Sequence, residues 1–464
     1  MSTFPTKTNK PNILLFLVHD HGKLDIGCYG NSAVRTPTLD KMAAEGMRFD
    51  NMYTTTPSCC PSRTALYTGL SGVRNGAWPN HSVSYSTVKG LPVYLQECGY
   101  RVGLAGTTHV YPSESFPFEE IPSDIGRWDG GFDLDGLRDF IISAQGEETP
   151  FFAVAATGFT HAPFNEEGDF DPEKVKLHPY MVDTPETRQT LARYYHAIEQ
   201  QDKLLGMAQE LLRETGVEQD TIVIYCADHG AQFPHAKWNL YDGGLNVPFV
   251  VRWPGVIEGG RTSDALISYV DLLPTFVDLA GGAPPTGLDG KSFRDILEDR
   301  ADIHNDAVFG VRSMDYPKFI YPMRSVRTER FKYIWNLDPD RQYTSYSADN
   351  EPLGVEARKY WIEWVKKAES DTFASERVNA EYYRPSDELY DVQNDPYELD
   401  NLAAKPEFAD TKAELRRRLE AWMKQQDDQG LETESKAWER LEYWRRTKYA
   451  EEFKKDQAIW VGKF

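Results

Sequence analysis

The chain has 464 residues, a mass of 52.9 kDa and a formal net charge of −21, from 51 basic and 72 acidic side chains. Its length predicts one large domain or two medium ones, and a hydrophobic content of 40% excludes a disordered or fibrous chain. Because nucleic acids and anionic lipids bind basic surfaces, this charge argues against both as partners, while a locally positive pocket would still accept a small anion.

The first 280 residues alternate short apolar runs with helical patterns. Strands are predicted, in chain order, at residues 13–18, 100–105, 151–156, 221–227 and 248–252, and helices at 91–98 and 190–214. Strands that are apolar on both faces and separated by helices predict a parallel sheet covered on both sides. The fold class is therefore α/β.

The same patterns bear on the compartment of the protein. The apolar run at 13–18 is too short for a membrane span or for the core of a secretory signal. Five cysteines, an odd number without zinc-ribbon spacing, argue against a disulfide framework. We therefore expect a soluble cytoplasmic protein without a membrane partner.

After about residue 300 the pattern changes. Short β-like segments at 307–311, 323–327 and 332–336 predict an antiparallel sheet, and charged helical stretches follow around 355–368 and 411–426. We predict an α/β domain over 1–300, a smaller α+β subdomain over 301–430 and a helical, aromatic-rich extension over 431–464. The extension carries Trp438, Leu441, Tyr443, Trp444, Tyr449, Phe453 and Trp460, which favours packing on the body or on a neighbouring subunit, and we expect a homo-oligomer.

Two predicted strands end in polar clusters. His19 and Asp20 follow the first strand, and Asp228 and His229 follow the strand at 221–227. Ligands of open parallel sheets bind at the carboxyl ends of strands, and carboxylate oxygens favour hard ions such as Ca²⁺, Mg²⁺ or Mn²⁺. Capping of the next turn by these side chains explains the pattern equally well.

The segment at 57–69 adds a third candidate. Cys59 lies just ahead of a predicted helix, with Pro61 near its first turn and Arg63 one turn further on. A helix start lowers the pKa of a thiol and attracts anions, and a guanidinium suits a tetrahedral oxyanion. Adjacent cysteines such as Cys59 and Cys60 are, however, more often a buried apolar pair.

Cys59-x-Pro61-Ser62-Arg63, continuing to Thr68-Gly69, resembles the signature of the type I sulfatases of the alkaline-phosphatase-like superfamily. Further segments resemble the family in the expected order: 11–20, 27–31, 37–40, 227–230, 237–244, 388–391, Asp395-Pro396 and Asn401-Leu402. Within the family, Asn75-Gly76, Leu91-Pro92 and 321–326 resemble the heparan N-sulfatase (sulfamidase) group. The resemblance implies a mostly parallel central sheet flanked by helices, with the smaller antiparallel subdomain following the catalytic domain.

The resemblance also implies roles for the clustered residues. Cys59 would be oxidised by a separate maturase to formylglycine, whose hydrate supplies one hydroxyl as nucleophile and a second to expel sulfate. Asp20, Asp228 and His229 fall on the metal-ligand positions, together with the modified Cys59, for one divalent ion, Ca²⁺ or Mn²⁺. Arg63 would hold the hydrate. The implied reaction is hydrolysis of a sulfate ester or sulfamate on a carbohydrate or other small organic sulfate.

Three further residues gain roles only from the resemblance. His109 matches a histidine thought to accept a proton from the hydrate, His161 one that protonates the leaving group, and Lys237 a residue that binds the sulfate. Taken alone, a single histidine or lysine is more often a satisfied core residue or a solvated surface residue.

The sequence departs from the family pattern at two positions. His19 stands where most sulfatases have a first aspartate, and ligation by His19 would weaken Ca²⁺ binding and favour a metal such as Mn²⁺. Thr107 stands where a sulfate-binding lysine is usual, so a protonated His19 or Arg324 would have to compensate. We predict that Thr107, His235 and Arg324 contact the substrate.

These departures keep two alternatives open. Phosphonate monoester hydrolases, which also use formylglycine, lack one of the paired aspartates, although the second rather than the first, and have threonine at the lysine position. A phosphonate or phosphodiester substrate is therefore the second hypothesis. A catalytically silent binding protein is the third, and it predicts no bound metal, an unmodified Cys59 and no turnover of either ester.

Overall fold

The computed structural model describes residues 10–122, 130–164, 168, 170–315, 319–345, 347–348, 359–448, 450–451 and 454. The strands are β1 (Asn12–Val18), β2 (Met47–Phe49), β3 (Met52–Tyr53), β4 (Arg101–Ala105), β5 (Glu119–Ile121), β6 (Phe151–Thr157), β7 (Thr221–Ala227), β8 (Phe249–Arg252), β9 (Arg261–Ser263), β10 (Ile267–Ser268), β11 (Val308–Met314), β12 (Ile320–Arg327), β13 (Phe331–Asn336) and β14 (Asp387–Asp391). The helices are α1 (Pro37–Glu45), α2 (Cys59–Thr68), α3 (Gly72–Asn75), α4 (Leu91–Glu97), α5 (Leu134–Gly146), α6 (Pro185–Glu214), α7 (Asp242–Leu245), α8 (Leu272–Leu279), α9 (Arg294–Leu297), α10 (Lys359–Lys367), α11 (Thr372–Tyr382), α12 (Ala409–Gln425), α13 (Leu431–Ser435) and α14 (Tyr443–Lys448).

The central sheet has eight strands in the order β5-β4-β6-β1-β7-β8-β2-β9. The five strands from β5 to β7 are mutually parallel, with Ile13 of β1 opposite Phe152 of β6 and Ile222 of β7. The predicted α/β fold with a mostly parallel sheet is confirmed. The strand expected at 248–252 is present as β8, but it runs antiparallel to β7 and β2, which the parallel prediction did not include.

Helices cover this sheet because its central strands are apolar on both faces. Leu205 and Leu212 of α6 and Phe276 of α8 belong to the same buried core as β1, β6 and β7. Helix α6 begins five residues before the predicted start, since Thr184 caps it and Pro185 occupies its first turn. Among the described residues, no helix is both long and apolar enough to cross a lipid bilayer.

A second sheet follows, with four antiparallel strands in the order β11-β12-β13-β14. Its face is covered by α12, whose Leu415 and Leu419 pack against Val326 and Tyr333. The predicted antiparallel sheet is therefore confirmed, with β14 as an additional strand. The domain boundaries at residues 300 and 430 stay predictions.

The C-terminal extension returns to the first domain. Ala437 and Leu441 pack with Val73 and Trp78, and Leu441 forms an antiparallel bridge with Ser82. The described part of the extension thus packs on its own chain. The predicted contributions of Tyr449, Phe453 and Trp460 fall outside the described residues, and the homo-oligomer stays a prediction.

Candidate active site

The two polar clusters meet because β1 and β7 are parallel neighbours in register. Val18 lies opposite Ala227, so Asp20 and Asp228 leave the sheet side by side. The backbone N–H of Asp228 donates to the carbonyl of Val18 at 2.9 Å, and that of Asp20 donates to Oδ1 of Asp228 at 3.0 Å. Both clusters therefore lie together at the carboxyl ends of adjacent strands, where open parallel sheets bind ligands.

Helix α2 delivers Cys59 to these carboxylates. The helix begins at Cys59 after the extended Ser58, and all of its residues are buried. The Cys59 Sγ lies 3.2 Å from Nε2 of His229 and 3.9 Å from Oδ1 of Asp20. Pro61 has no N–H and the N–H of Cys60 donates to Oδ1 of Asn80 at 3.3 Å, so the helix start acts on an anion attached to residue 59 through its dipole rather than through a set of free donors.

Four side chains form a group suited to a metal ion. His19, Asp20, Cys59 and Asp228 are all buried and each offers one ligand atom within 4.8 Å of the others. Nε2 of His229 lies 3.2 Å from Oδ1 of Asp20. Two buried carboxylates with imidazole neighbours fit a divalent cation, and the Cys59 sulfur stands at the position where formylglycine would present oxygen.

Two cations neutralise the carboxylates from outside this group. Arg63 Nε lies 3.0 Å from Oδ2 of Asp228, and Lys237 Nζ lies 2.6 Å from Oδ2 of Asp20. Burial alone would raise the pKa of both carboxyl groups, but the charge of Lys237 lowers the pKa of Asp20, and His229, His19 and Arg63 hold that of Asp228 well below its usual range. Both side chains are therefore ionised, the form in which a carboxylate binds a cation.

His19 lies against this group as a neutral imidazole. Its Nδ1 is 3.0 Å from Oδ2 of Asp228, and burial together with the charge of Arg63 lowers the pKa of His19 to about 4. Neutral imidazole is the form that ligates metals. The lowered pKa argues against the suggestion that a protonated His19 replaces the missing lysine.

The backbone around the site adopts left-handed conformations at residues other than glycine. Asp20 and His109 both have φ of 48°, and His235 and Trp238 have φ of 65° and 67°. Such conformations cost about 1–3 kcal/mol each and persist where the surroundings enforce them. Position 230 requires glycine for a steric reason, since a Cβ at this position would lie 1.8 Å from the carbonyl oxygen of Gly243.

Of the other predicted catalytic histidines, His161 lies beside the group, and His109 contacts His81, whose Nδ1 is 3.0 Å from Nε2 of His109. The ring of His161 is perpendicular to that of His19 with centroids 5.7 Å apart, and its Nδ1 is 2.6 Å from the carbonyl of Ala162. Burial is the main cause that lowers the pKa of His161 and of His109. Thr107 is buried, and its carbonyl accepts from Nη1 of Arg63 at 2.9 Å, so Thr107 helps orient Arg63.

Two residues predicted to bind substrate lie elsewhere. The fully buried guanidinium of Arg324 pairs with Asp428 and Glu434, which consumes its donors and argues against a contact with substrate. His235 stacks on Tyr241 with ring centroids 3.9 Å apart and lines a cavity of about 390 Å³ whose lining includes Gly22, Lys23 and Glu398. Neither side chain contacts the group around Cys59.

This arrangement predicts a structural role for Arg324. Replacing Arg324 with leucine leaves Asp428 and Glu434 buried without their counter-charge, and we expect the free energy of unfolding to fall by about 3–5 kcal/mol. Denaturant titration measures this loss, with the exposed Arg417→Leu as a matched control of small effect. A stable Arg324→Leu protein with a raised KM would contradict the structural role.

Comparisons with known proteins agree with the site. A sulfatase family model matches residues 11–283, and a model described as the C-terminal part of N-sulphoglucosamine sulphohydrolase matches residues 230–361. An ulvan-active sulfatase of Formosa agariphila is 34% identical over 436 residues, covering 91% of this chain and 81% of its own. Human N-sulphoglucosamine sulphohydrolase is 30% identical over 466 residues, covering 89% and 90%.

Solved structures share the fold at lower identity. A protein in complex with its substrate D-glucosamine-2-N,6-O-disulfate superposes with a TM-score of 0.65 at 21% identity, over 91% of this chain and 99% of its own. The phosphonate monoester hydrolase of Agrobacterium radiobacter superposes with a TM-score of 0.68 at 20% identity, over 90% and 96%.

These findings define a hydrolase with the alkaline-phosphatase-like fold. The chain belongs to the sulfatase family, as its motifs predicted, and its C-terminal part matches that of the sulfamidase group. The family match favours hydrolysis of sulfate esters or sulfamates over the phosphonate alternative, which is supported by the threonine at position 107 and by a shared fold.

Proposed function

We propose that the protein hydrolyses a sulfate ester or sulfamate on a saccharide, using a formylglycine made from Cys59 by a maturase and one divalent cation, Ca²⁺ or Mn²⁺. The observation that carries the proposal is the position of the Cys59 sulfur at a helix start, within 4.8 Å of ligand atoms of His19, Asp20 and Asp228. The relatives support the substrate class, because one is named for N-sulphoglucosamine and another was solved with a sulfated glucosamine.

The proposed reaction uses a divalent cation and the aldehyde formed at residue 59, together with side chains of the chain itself. A divalent cation held by Asp20, Asp228, His229, His19 and residue 59 would polarise the sulfuryl oxygens, while the hydrated aldehyde supplies the nucleophilic hydroxyl. Arg63 binds and orients the anion, since its Nη2 is buried without a hydrogen-bond partner in the described structure. Because its other donors are fixed by Asp228 and Thr107, Arg63 needs no rearrangement to do so.

His161 is suited to protonate the leaving group. Its Nδ1 donates to the carbonyl of Ala162, which leaves Nε2 as the ring nitrogen that binds and releases a proton. Burial lowers the pKa of His161, so the neutral ring predominates at neutral pH and the protonated ring, when it forms, gives up its proton readily.

Lys237 pairs with the candidate metal ligand Asp20 and, in the proposed reaction, faces the substrate. Its replacement should therefore lower activity. We expect Lys237→Met to lower kcat/KM by about 10²–10³-fold, because the cation that pairs with Asp20 and faces the sulfuryl charge is removed. Steady-state kinetics measure this loss, with the exposed Lys41→Met as control. Full activity of Lys237→Met would exclude the role.

The replacement of an aspartate by His19 predicts a change of metal preference. We expect His19→Asp to bind Ca²⁺ more tightly relative to Mn²⁺, since a hard oxygen ligand replaces a nitrogen. Chelated protein is reloaded with an equimolar mixture of both ions, and the bound metal is measured by inductively coupled plasma mass spectrometry. An unchanged ratio of the two ions would place His19 outside the ligand set.

The substrate class is tested by direct comparison of three probes. We expect turnover of D-glucosamine N-sulfate and of 4-nitrophenyl sulfate, with kcat/KM values well above that for an aryl phosphonate monoester. The threonine at 107 is the observation that favours the phosphonate alternative, and a kcat/KM larger by orders of magnitude for the phosphonate would establish it. A protein that keeps the Cys59 thiol after production with a maturase, binds no metal and turns over none of the probes would be the silent binding protein.

A further inference from the structure

The cavity that His235 lines is separate from the candidate metal group. Its volume is about 390 Å³, and its described lining combines Lys23 after β1 with Arg327 at the end of β12 and Glu398 after β14. The candidate metal ligands are not part of that lining. Pro396, an exposed residue of the lining, marks an opening to solvent. A cavity of this volume accommodates a small molecule.

Two cationic side chains of the lining reach the same turn between β2 and β3. Nζ of Lys23 donates to the carbonyl of Asp50 at 2.8 Å, and Nη2 of Arg327 lies 3.5 Å from Oδ1 of Asn51. Within the described chain, Arg327 has one carboxylate contact, to Oδ2 of Asp242 at 3.9 Å, and Lys23 has none within 4.0 Å. Burial lowers the pKa of Lys23 to about 8, so its ammonium form still predominates at neutral pH. Both side chains therefore bring positive charge to the cavity without a close counter-charge.

The acidic side chains of the lining have partners of their own. The pairs are Asp50 with Arg48, Asp25 with His178, and both Asp242 and Glu398 with Lys332. Lys332 is fully buried and is not part of the lining. Burial raises the pKa of Glu398, which further reduces the negative charge of the lining at neutral pH. The charges of Lys23 and Arg327 are therefore the ones available to a ligand.

The lining also contains hydrogen-bond donors without a partner among the described residues. Nε and Nη1 of Arg327 are buried and make no hydrogen bond there, although Cζ of the guanidinium lies 5.0 Å from the ring centroid of Tyr53. Tyr180 is buried as well, and its contacts with the described chain are ring contacts rather than hydrogen bonds of its hydroxyl. Buried polar groups nearly always have partners in native proteins, so these donors predict a ligand rich in acceptor oxygens.

Stacked rings supply an apolar part of the wall. The ring centroid of Tyr180 lies 5.3 Å from that of His178 and 5.0 Å from that of His235, and all three residues line the cavity. His235 in turn stacks on Tyr241, and its Nε2 lies 2.8 Å from the carbonyl oxygen of Tyr397, so its ring is held in place. A fixed aromatic wall beside these donors suits a sugar, whose C–H groups pack on rings while its oxygens accept hydrogen bonds.

We propose that this cavity binds a monosaccharide acid, with the carboxylate held by Arg327 and Lys23 and the sugar ring against Tyr180. A guanidinium fork and an ammonium group both suit a carboxylate, and a volume of about 390 Å³ exceeds what a free inorganic anion fills. The site itself does not depend on the chemistry at residue 59, whereas the choice of a saccharide rests on the proposed function. It is a second saccharide site, apart from the one at which sulfate would be released.

Binding of sodium glucuronate to the formylglycine-containing, metal-loaded protein tests the proposal. The titration is followed by saturation-transfer difference NMR. Glucuronate carries no sulfate, so the proposed reaction does not turn it over. We expect glucuronate to bind at least about tenfold more tightly than glucose, because its carboxylate adds charge-assisted hydrogen bonds.

Variants assign the binding to this cavity. We expect Arg327→Gln and Lys23→Gln each to weaken glucuronate binding by at least about tenfold, with kcat/KM for 4-nitrophenyl sulfate unchanged. The exposed Arg417→Gln and Lys41→Gln are the matched controls without effect. Tyr180→Phe removes one hydroxyl and should weaken binding by about two- to tenfold. Denaturant titration verifies that each variant is folded, and any one of the three cavity variants that folds decides the question.

The outcomes separate this inference from the proposed function. Glucuronate binding that is absent, or no tighter than that of glucose, would overturn the site. Binding that Lys237→Met abolishes and Arg327→Gln leaves intact would place the sugar in the catalytic site, which also overturns the proposal. Inorganic sulfate that binds through Arg327 as tightly as glucuronate would exclude the saccharide. A protein without sulfatase activity that binds glucuronate through Arg327 would refute the proposed function alone.

Discussion

Replacement of Cys59 with alanine is expected to lower kcat/KM for a sulfate ester by about four orders of magnitude or more. The side chain at position 59 is the group from which the nucleophile is made, and removing a covalent nucleophile abolishes the step rather than weakening it. The measurement is steady-state turnover of 4-nitrophenyl sulfate by purified protein of verified secondary structure.

The adjacent cysteine is the matched control. Cys60 is equally buried, but its sulfur contacts the carbonyl of Ser82 at 3.3 Å, outside the group of candidate metal ligands. We expect Cys60→Ala to retain kcat/KM within about tenfold, at a small cost in stability. Retained activity in Cys59→Ala, or loss of activity in Cys60→Ala alone, would show that Cys59 is not the source of the nucleophile.

Conversion of Asp228 to asparagine should produce the second largest effect. This carboxylate accepts from the backbone N–H of Asp20, pairs with Arg63 and contacts His19, so it joins the metal group to the anion-binding residues. Asparagine keeps one oxygen but places an amide N–H₂ against donors, and we expect kcat/KM to fall by at least about 10³-fold. Bound metal, measured by inductively coupled plasma mass spectrometry, should fall in parallel.

Asp202→Asn is the control that distinguishes loss of a metal ligand from the loss of stability caused by altering any buried carboxylate. The oxygens of Asp202 accept from the backbone N–H groups of Thr38 and Leu39 at the start of α1, apart from the metal group. We expect Asp202→Asn to lower stability while retaining metal. Full metal content in Asp228→Asn would remove Asp228 from the ligand set.

Much of the fold could be predicted because its central strands have an unambiguous pattern. β1 and β7 are continuous apolar runs, which only a sheet covered on both faces accommodates. The direction of β8 was not predictable in this way, since a buried strand reads the same in either direction. The start of α6 was missed because Thr184 and Pro185 precede the apolar repeat on which the helix prediction relied.

The residues of the candidate site were likewise predictable only where a local sequence pattern marks them. Asp20, Asp228 and Cys59 lie in motifs at strand ends or at a helix start, and the geometry brings them together. The neutrality of His19 and the saturation of Arg324 depend on burial and on partners far along the chain, such as Asp428, so no local pattern indicates them.

Mass spectrometry of the tryptic peptide spanning residues 49–63 tests the central claim most directly, because this peptide contains Cys59 and ends at Arg63. Protein produced together with a formylglycine-generating maturase should yield a peptide in which the side chain of residue 59 has an aldehyde oxygen in place of sulfur. The fraction of peptide so modified should be proportional to sulfatase activity across preparations. Fully active protein in which residue 59 is an unmodified thiol would contradict the account.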